Sequence, residues 1–208
     1  MKIKFVLFLL SLVCYQSFSQ DPVQNYLKEA TDFYSQKNYK QAQMSLQDAI
    51  NELNKLMSEQ IGNVLPIEIN GLKEVVDGSS NTSLGAMGGS QISKQYKNPT
   101  LDENEAEIQI LANSPMMSAM NMYLSNPALM GEGAKSVRVG TQRAILKTEM
   151  MDYYGNNDVS KKIRSTQIQI PLSQTLITIQ AKGFANEQAE LAFAAKLDLA
   201  KIKQAVGE

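Results

Sequence analysis

Residues 161–182 read KKIRSTQIQIPLSQTLITIQAK, and the alternation within them sets the fold class. Ile168 and Ile170 alternate with Gln167 and Gln169. After Leu172-Ser173-Gln174, Ile177 and Ile179 alternate with Thr178 and Gln180. A period of two with one apolar and one amide-rich face describes two antiparallel strands joined by a short turn, wetted or loosely covered on one side. The same pattern recurs upstream, where Ile108 and Ile110 oppose Glu107 and Gln109. Strands are expected at 91–97, 106–112, 135–139, 142–151, 161–170 and 175–182. Gly140-Thr141 predicts a tight hairpin with glycine at the first central position, and Gly155-Asn156-Asn157-Asp158 a further turn. Ile67, Ile69 and Leu72 read as one edge strand, followed by a flexible loop in the Gly- and Ser-rich stretch 77–90, DGSSNTSLGAMGGS.

Nearer the N-terminus the period becomes helical. Val23, Tyr26, Leu27, Ala30, Phe33 and Tyr34 recur at short helical steps, as do Tyr39, Ala42, Leu46, Ala49, Ile50, Leu53 and Met57. Asp21-Pro22 supplies an N-cap and a first-turn proline, and Lys37-Asn38 a break between two helices. Small Ala30, Ala42 and Ala49 let the helices approach, with Phe33, Tyr39 and Leu46 filling between them. The pattern A-x-x-F-Y-x-x-K-N-Y-x-x-A-x-x-x-L-x-x-A, from Ala30 to Ala49, resembles a tetratricopeptide helical pair. Lys37 stands where that family usually has glycine, and Asn54 where it often has proline. No second copy follows, and a lone unit cannot build a peptide-binding superhelix, so a packed hairpin is the stronger reading. Further along, Ser114-Pro115 opens a short helix through residues 116–124. Asn186 caps a longer one from Glu187 toward Lys203, with Leu191, Ala194, Ala195, Leu199 and Ile202 inward.

The fold class that follows is α+β: an N-terminal helical hairpin, then an antiparallel sheet of about six or seven strands with two packed helices. The expected division is a signal peptide at 1–19, the tetratricopeptide-like hairpin at 20–64 and the antiparallel α+β domain at 65–208. Residues 65–206 resemble a group of uncharacterised exported bacterial proteins. The residues that carry the likeness are Leu65-Pro66, Ile69-x-Gly71-Leu72, Asn113-Ser114-Pro115-Met116, Ser125-Asn126-Pro127, Gly140, Ala144-Ile145, the strand from Leu176 to Gly183, and Leu197-Asp198-Leu199. The order of elements is also similar to the PsbP-like fold. That likeness implies a binding or assembly domain rather than an enzyme.

The first residues read as a secretion signal. Lys2 and Lys4 precede the uncharged run FVLFLLSLVCY at 5–15, which is too short to span a bilayer. Ser17 and Ser19 fit the small −3 and −1 positions for cleavage before Gln20. Val13 spoils a lipobox at Cys14. The expected location is therefore periplasmic or extracellular, with no transmembrane span in the mature chain. Loss of Lys2 and Lys4 with the leader makes the product two charges more negative than the formal −1 of the whole chain. Arg138, Arg143 and Arg164 are the only arginines, so nucleic acid is not an expected partner.

The 208 residues contain no histidine, and Cys14 is the only cysteine. Histidine general bases, thiolate nucleophiles and His/Cys metal sites are thereby excluded from the mature chain, and no cofactor or metal is expected. Met116, Met117, Met120 and Met122 form the one unusual local cluster. Their thioethers would suit a soft ion or an apolar ligand, but a short helix packing on a sheet is the stronger reading. The acidic run Asp102, Glu103, Glu105 and Glu107 lacks the central glycine of a calcium loop. Asn81-Thr82-Ser83 matches a glycosylation sequon within the expected loop. The expected function is that of a non-catalytic binding or assembly factor acting on another envelope protein. The alternative is a carrier of a small apolar ligand held between sheet and helices near Met116 to Leu124, and a hydrolase built without His or Cys comes third. An exposed apolar patch on the hairpin would favour the first, and a large apolar cavity the second.

Overall fold

The computed structural model describes residues 21–83, 89–115, 117–124, 126, 129, 131–154 and 160–208. The leader at 1–19 with Cys14, Met116, Gly85 to Gly88 and the turn at 155–158 lie outside these residues. Two helices come first, α1 (Pro22–Ser35) and α2 (Tyr39–Val64). Strands β1 (Glu68–Ile69), β2 (Leu72–Ser83), β3 (Ser90–Lys97) and β4 (Glu105–Ala112) follow, then α3 (Met117–Leu124). The chain continues through β5 (Lys135–Val139), β6 (Gln142–Tyr154), β7 (Ser160–Pro171) and β8 (Leu176–Lys182), and closes with α4 (Glu187–Ala194) and α5 (Leu199–Val206).

The eight strands form one antiparallel sheet in the order β1-β2-β3-β4-β8-β7-β6-β5. It consists of two four-strand meanders joined where β4 pairs with β8, with Ile108 opposite Ile179 and Ile110 opposite Ile177. The alternation read from sequence decides which face is which. Ile92, Tyr96, Ile108, Ile110, Ile168, Ile170, Ile177 and Ile179 share the buried face, all at most 1 % exposed. Against it lie Ile61 and Leu65 at the end of α2, Phe193 and Ala194 of α4, and Ile202 and Val206 of α5. Tyr96 and Phe184 both set their rings edge-on to Phe193. The opposite face carries Gln109, Thr178, Gln167, Gln169 and Gln180. It is covered at one end, where Met117 and Leu124 of α3 pack with Ile145 and Leu176.

Three expectations are corrected in detail. The sheet has eight strands rather than six or seven, and the stretch taken as a loop from residue 77 continues β2 to Ser83. Its pairing with β3 runs from Lys73 to Val75 and resumes at Ser80, so the intervening residues bulge. The Ser79 hydroxyl donates to the Val75 carbonyl there, at 3.2 Å. The sequon Asn81-Thr82-Ser83 therefore lies in a strand, with Asn81 opposite Ile92. The single first strand is instead two, β1 and β2, turned at Asn70-Gly71, where both residues have positive φ (50° and 85°). That is the type I′ geometry that Asn-Gly favours. The long terminal helix is broken into α4 and α5, because the Asp198 carboxylate accepts from Lys201 N at 3.0 Å and starts a new helix. Three helices thus pack after the hairpin, where two were expected.

Other local readings match the structure. The Asp21 side chain accepts from Val23 N, Asn38 caps α2, and the Asn186 side chain accepts from Ala189 N. Val139 pairs with Gln142 across a two-residue turn at Gly140, φ 60°. Gly183 ends β8 at φ 68°, and a Cβ there would stand 2.2 Å from the Glu103 carbonyl oxygen, so no other residue fits without moving backbone.

Candidate functional site

The hairpin is held by small residues. Ala30 on α1 and Ala42, Ser45 and Ala49 on α2 are buried, at 6, 6, 5 and 2 % exposure. Phe33 is half-buried. Tyr39 and Leu46, expected to fill between the helices, are instead 62 % and 46 % exposed. The reason is the closeness that the alanines permit: the larger side chains are displaced to the flank of the contact. Tyr39 rests against Tyr34, ring centroids 5.9 Å apart.

Farther along α2 the buried residues change sides. Asn54, Ser58 and Ile61 lie nearly opposite Ala42, Ser45 and Ala49 on the helical wheel and face the sheet. The Asn54 carbonyl accepts from the Ser90 and Ser58 hydroxyls, each at 2.9 Å. Helix α2 thus has α1 on one side and β2, β3 and α5 on the other. Of the two remaining sides, one carries Asp48, Glu52, Lys55 and Glu59 and is wet. The other carries Tyr39, Leu46, Ile50 and Leu53, the last two 46 % and 49 % exposed. Leu27 and Tyr34 on α1, 47 % and 68 % exposed, extend this apolar surface, because the ring contact puts Tyr34 on the same side as Tyr39. The sequence shows these residues as part of the helical stripe, but it assigns them to the interior.

Among the described residues, the clustered methionines Met117, Met120 and Met122 do not converge. Met117 is 1 % exposed and packs with Leu124, Ile145 and Leu176. Met120 is partly buried beside them, whereas Met122 is 77 % exposed. The acidic run is likewise dispersed: Asp102 pairs with Lys97, Glu103 with Lys161 and Glu105 with Lys182, while Glu107 accepts from Ser93 and Gln109. Among the described residues no group of three or more His, Cys, Asp or Glu is placed to hold a metal ion. No helix among them is long and apolar enough to cross a membrane.

Two polar features escaped the sequence reading. Glu190 of α4 is fully buried and receives Arg164 through two bonds, Nε at 2.9 Å and Nη2 at 3.0 Å. The Thr166 hydroxyl donates to Glu190 at 2.8 Å, and Thr148 shares a hydrogen bond with Thr166. Glu190 holds the Arg164 guanidinium still further above its usual range, chiefly through these bonds. The network ties α4 to β6 and β7. The second feature is the uncovered sheet face, where a groove of about 360 Å³ is lined by Gln95, Lys97, Glu105, Glu107, Gln180 and Lys182 among others. Nearby, burial and then the charge of Glu74 push the Tyr96 phenol well above its ordinary pKa, and its hydroxyl donates to the Pro66 carbonyl at 2.7 Å.

No family model and no curated protein matches the chain. A crystal structure from Bacteroides thetaiotaomicron VPI-5482 is similar at a TM-score of 0.39 and 12% identity, over 60% of this chain. The match spans 42% of that protein, so this chain covers less than half its length.

Proposed function

We propose that this chain is an exported, non-catalytic binding or assembly factor of the periplasm or cell surface, and that the hairpin is its interaction surface for a protein of the envelope. The observation that supports this reading is the side of α1 and α2 bearing Leu27, Tyr34, Tyr39, Leu46, Ile50 and Leu53, each about half exposed or more. Water-exposed apolar side chains in a contiguous stripe are stabilised by a protein partner. An apolar carrier is less well supported, because the hollow beside α3, bordered by Asn121 and Leu124, is also lined by Gln142, Arg143, Lys203 and Glu208. The test is affinity capture of the tagged chain from its own envelope fraction, compared with Leu46→Asp and Ile50→Lys variants of unchanged melting temperature. Partners captured by the parent should be lost with both variants. Equal capture by all three chains would overturn the proposal.

A further inference from the structure

A heptad runs along one side of α2 from end to end. Tyr39, Leu46, Leu53 and Gln60 occupy one seam position, and Gln43, Ile50, Met57 and Val64 the other. Tyr39, Leu46, Ile50 and Leu53 are the exposed apolar residues already described. Met57 and Val64 are partly buried at the rim of the sheet's core, and Gln43 and Gln60 are exposed.

This seam reads alike from either end. Turned over about the midpoint between Asn51 and Glu52, it sets Tyr39 against Val64, Gln43 against Gln60, Leu46 against Met57 and Ile50 against Leu53. The two glutamines are its only polar members, and they fall opposite each other. Sliding the pairing by one heptad would set Gln43 against Leu53, or Gln60 against Ile50. Polar residues in a helical seam specify register in this way. Of the flanking positions, Lys40 alone is charged, Ala42, Gln47, Ala49, Asn54, Leu56, Ile61 and Asn63 are not, and Asp48, Glu52, Lys55 and Glu59 stand away from the seam. An identical partner repeats the sign of every charge it brings, and the same reversal sets Lys40 against Asn63 rather than against its own counterpart, so this flank suits self-contact.

We infer that a second copy of this chain occupies this face, with its α2 antiparallel to the first. The inference rests on the hairpin being the interaction surface and names its partner. Six large side chains, each about half exposed, present on the order of 600 Å², most of the ~800 Å² per partner in a typical stable interface. The direction follows from bulk: β2, β3 and α5 pack on the C-terminal half of α2. Antiparallel pairing sets each sheet beside the other copy's hairpin, whereas parallel pairing sets the two sheets against each other.

Full-length chain carrying Cys14→Ser has no thiol, which makes cross-linking clean. An equal mixture of chains bearing Gln43→Cys with chains bearing Gln60→Cys should form a disulfide-linked dimer on mild oxidation. Either chain alone should not, because its two copies of one position lie about 26 Å apart along the helix. Sedimentation of the thiol-free chain at 100 µM should give a dimer, and Leu46→Asp should give a monomer with an unchanged circular dichroism spectrum. Self-linking of Gln43→Cys alone would mean a parallel pair and would overturn the inference, as would a monomeric parent with no mixed cross-link. If that monomer still captures an envelope protein in a manner sensitive to Leu46→Asp, the interaction surface stands and only the identity of its partner is wrong. If capture fails too, both readings fall.

Discussion

Glu190 and Arg164 illustrate how a single buried residue shapes this protein. Glu190 is fully buried, and Arg164 supplies the charge that makes that burial tolerable. Replacing Arg164 by Ala leaves a carboxylate inside with only the Thr166 hydroxyl, so about 3–5 kcal/mol of stability should be lost in urea unfolding. Glu190→Ala should cost less, because Arg164 keeps partial access to water. A double variant that recovers most of the loss identifies the pair, and strict additivity would show that the two residues act separately. Acid stability also belongs to individual residues. Hydrogen bonds from the Lys201 backbone to Asp198, and from the Lys161 side chain to Glu103, hold both carboxyls below their ordinary range. Their contribution is therefore complete above about pH 5 and is lost as pH falls through the lower folded values. Melting temperature should drop below pH 4, and Asp198→Asn, which keeps the cap but cannot titrate, should lessen the slope.

At the scale of elements, α2 performs two jobs along its length. Its first half meets α1 through alanines, and its second half inserts Ile61 at 0 % exposure into the core of the sheet. A boundary drawn at 64/65 would thus separate Ile61 from the core it packs in. Ile61→Ala should cost about 2–5 kcal/mol and loosen the sheet, whereas Leu46→Ala, half exposed, should cost under about 1 kcal/mol. Equal losses would mean that hairpin and sheet share their stability evenly. Elements whose sequence carried a sustained period were legible. The strands at 91–97, 106–112, 135–139, 142–151, 161–170 and 175–182 stand within about two residues of the strands formed, except that β6 runs on to Tyr154. What escaped was set by tertiary context. Ser80, Asn81 and Ser83 have little strand propensity, yet β3 pairs with them. The turn at Asn70-Gly71 did have a local signal, the Asn-Gly pair itself. The exposed side of α2 was legible as a stripe, but periodicity cannot tell which of two apolar sides meets a neighbour within the same chain.

Across the whole molecule, stability should fall off from the seam between the meanders. Strands β4, β7 and β8 are paired on both edges and carry six isoleucines at 0 % exposure, whereas α1 packs chiefly on α2. Native-state hydrogen exchange should be slowest at amides of residues 106–111 and 176–181, and fastest in α1. Comparable protection in α1 would show that the hairpin opens only with global unfolding. The β4–β8 junction has a further consequence for how the chain can be divided. Each meander is continuous in sequence, and the two meet through strands about seventy residues apart, Glu105 with Lys182 to Leu111 with Leu176. Separate polypeptides covering 21–124 and 131–208 should therefore find each other when co-expressed, and should restore the β4–β8 pairing without a covalent link. The natural seam of this sheet is a place where the protein could be split into complementing fragments and used as a conditional reporter of two tethered partners.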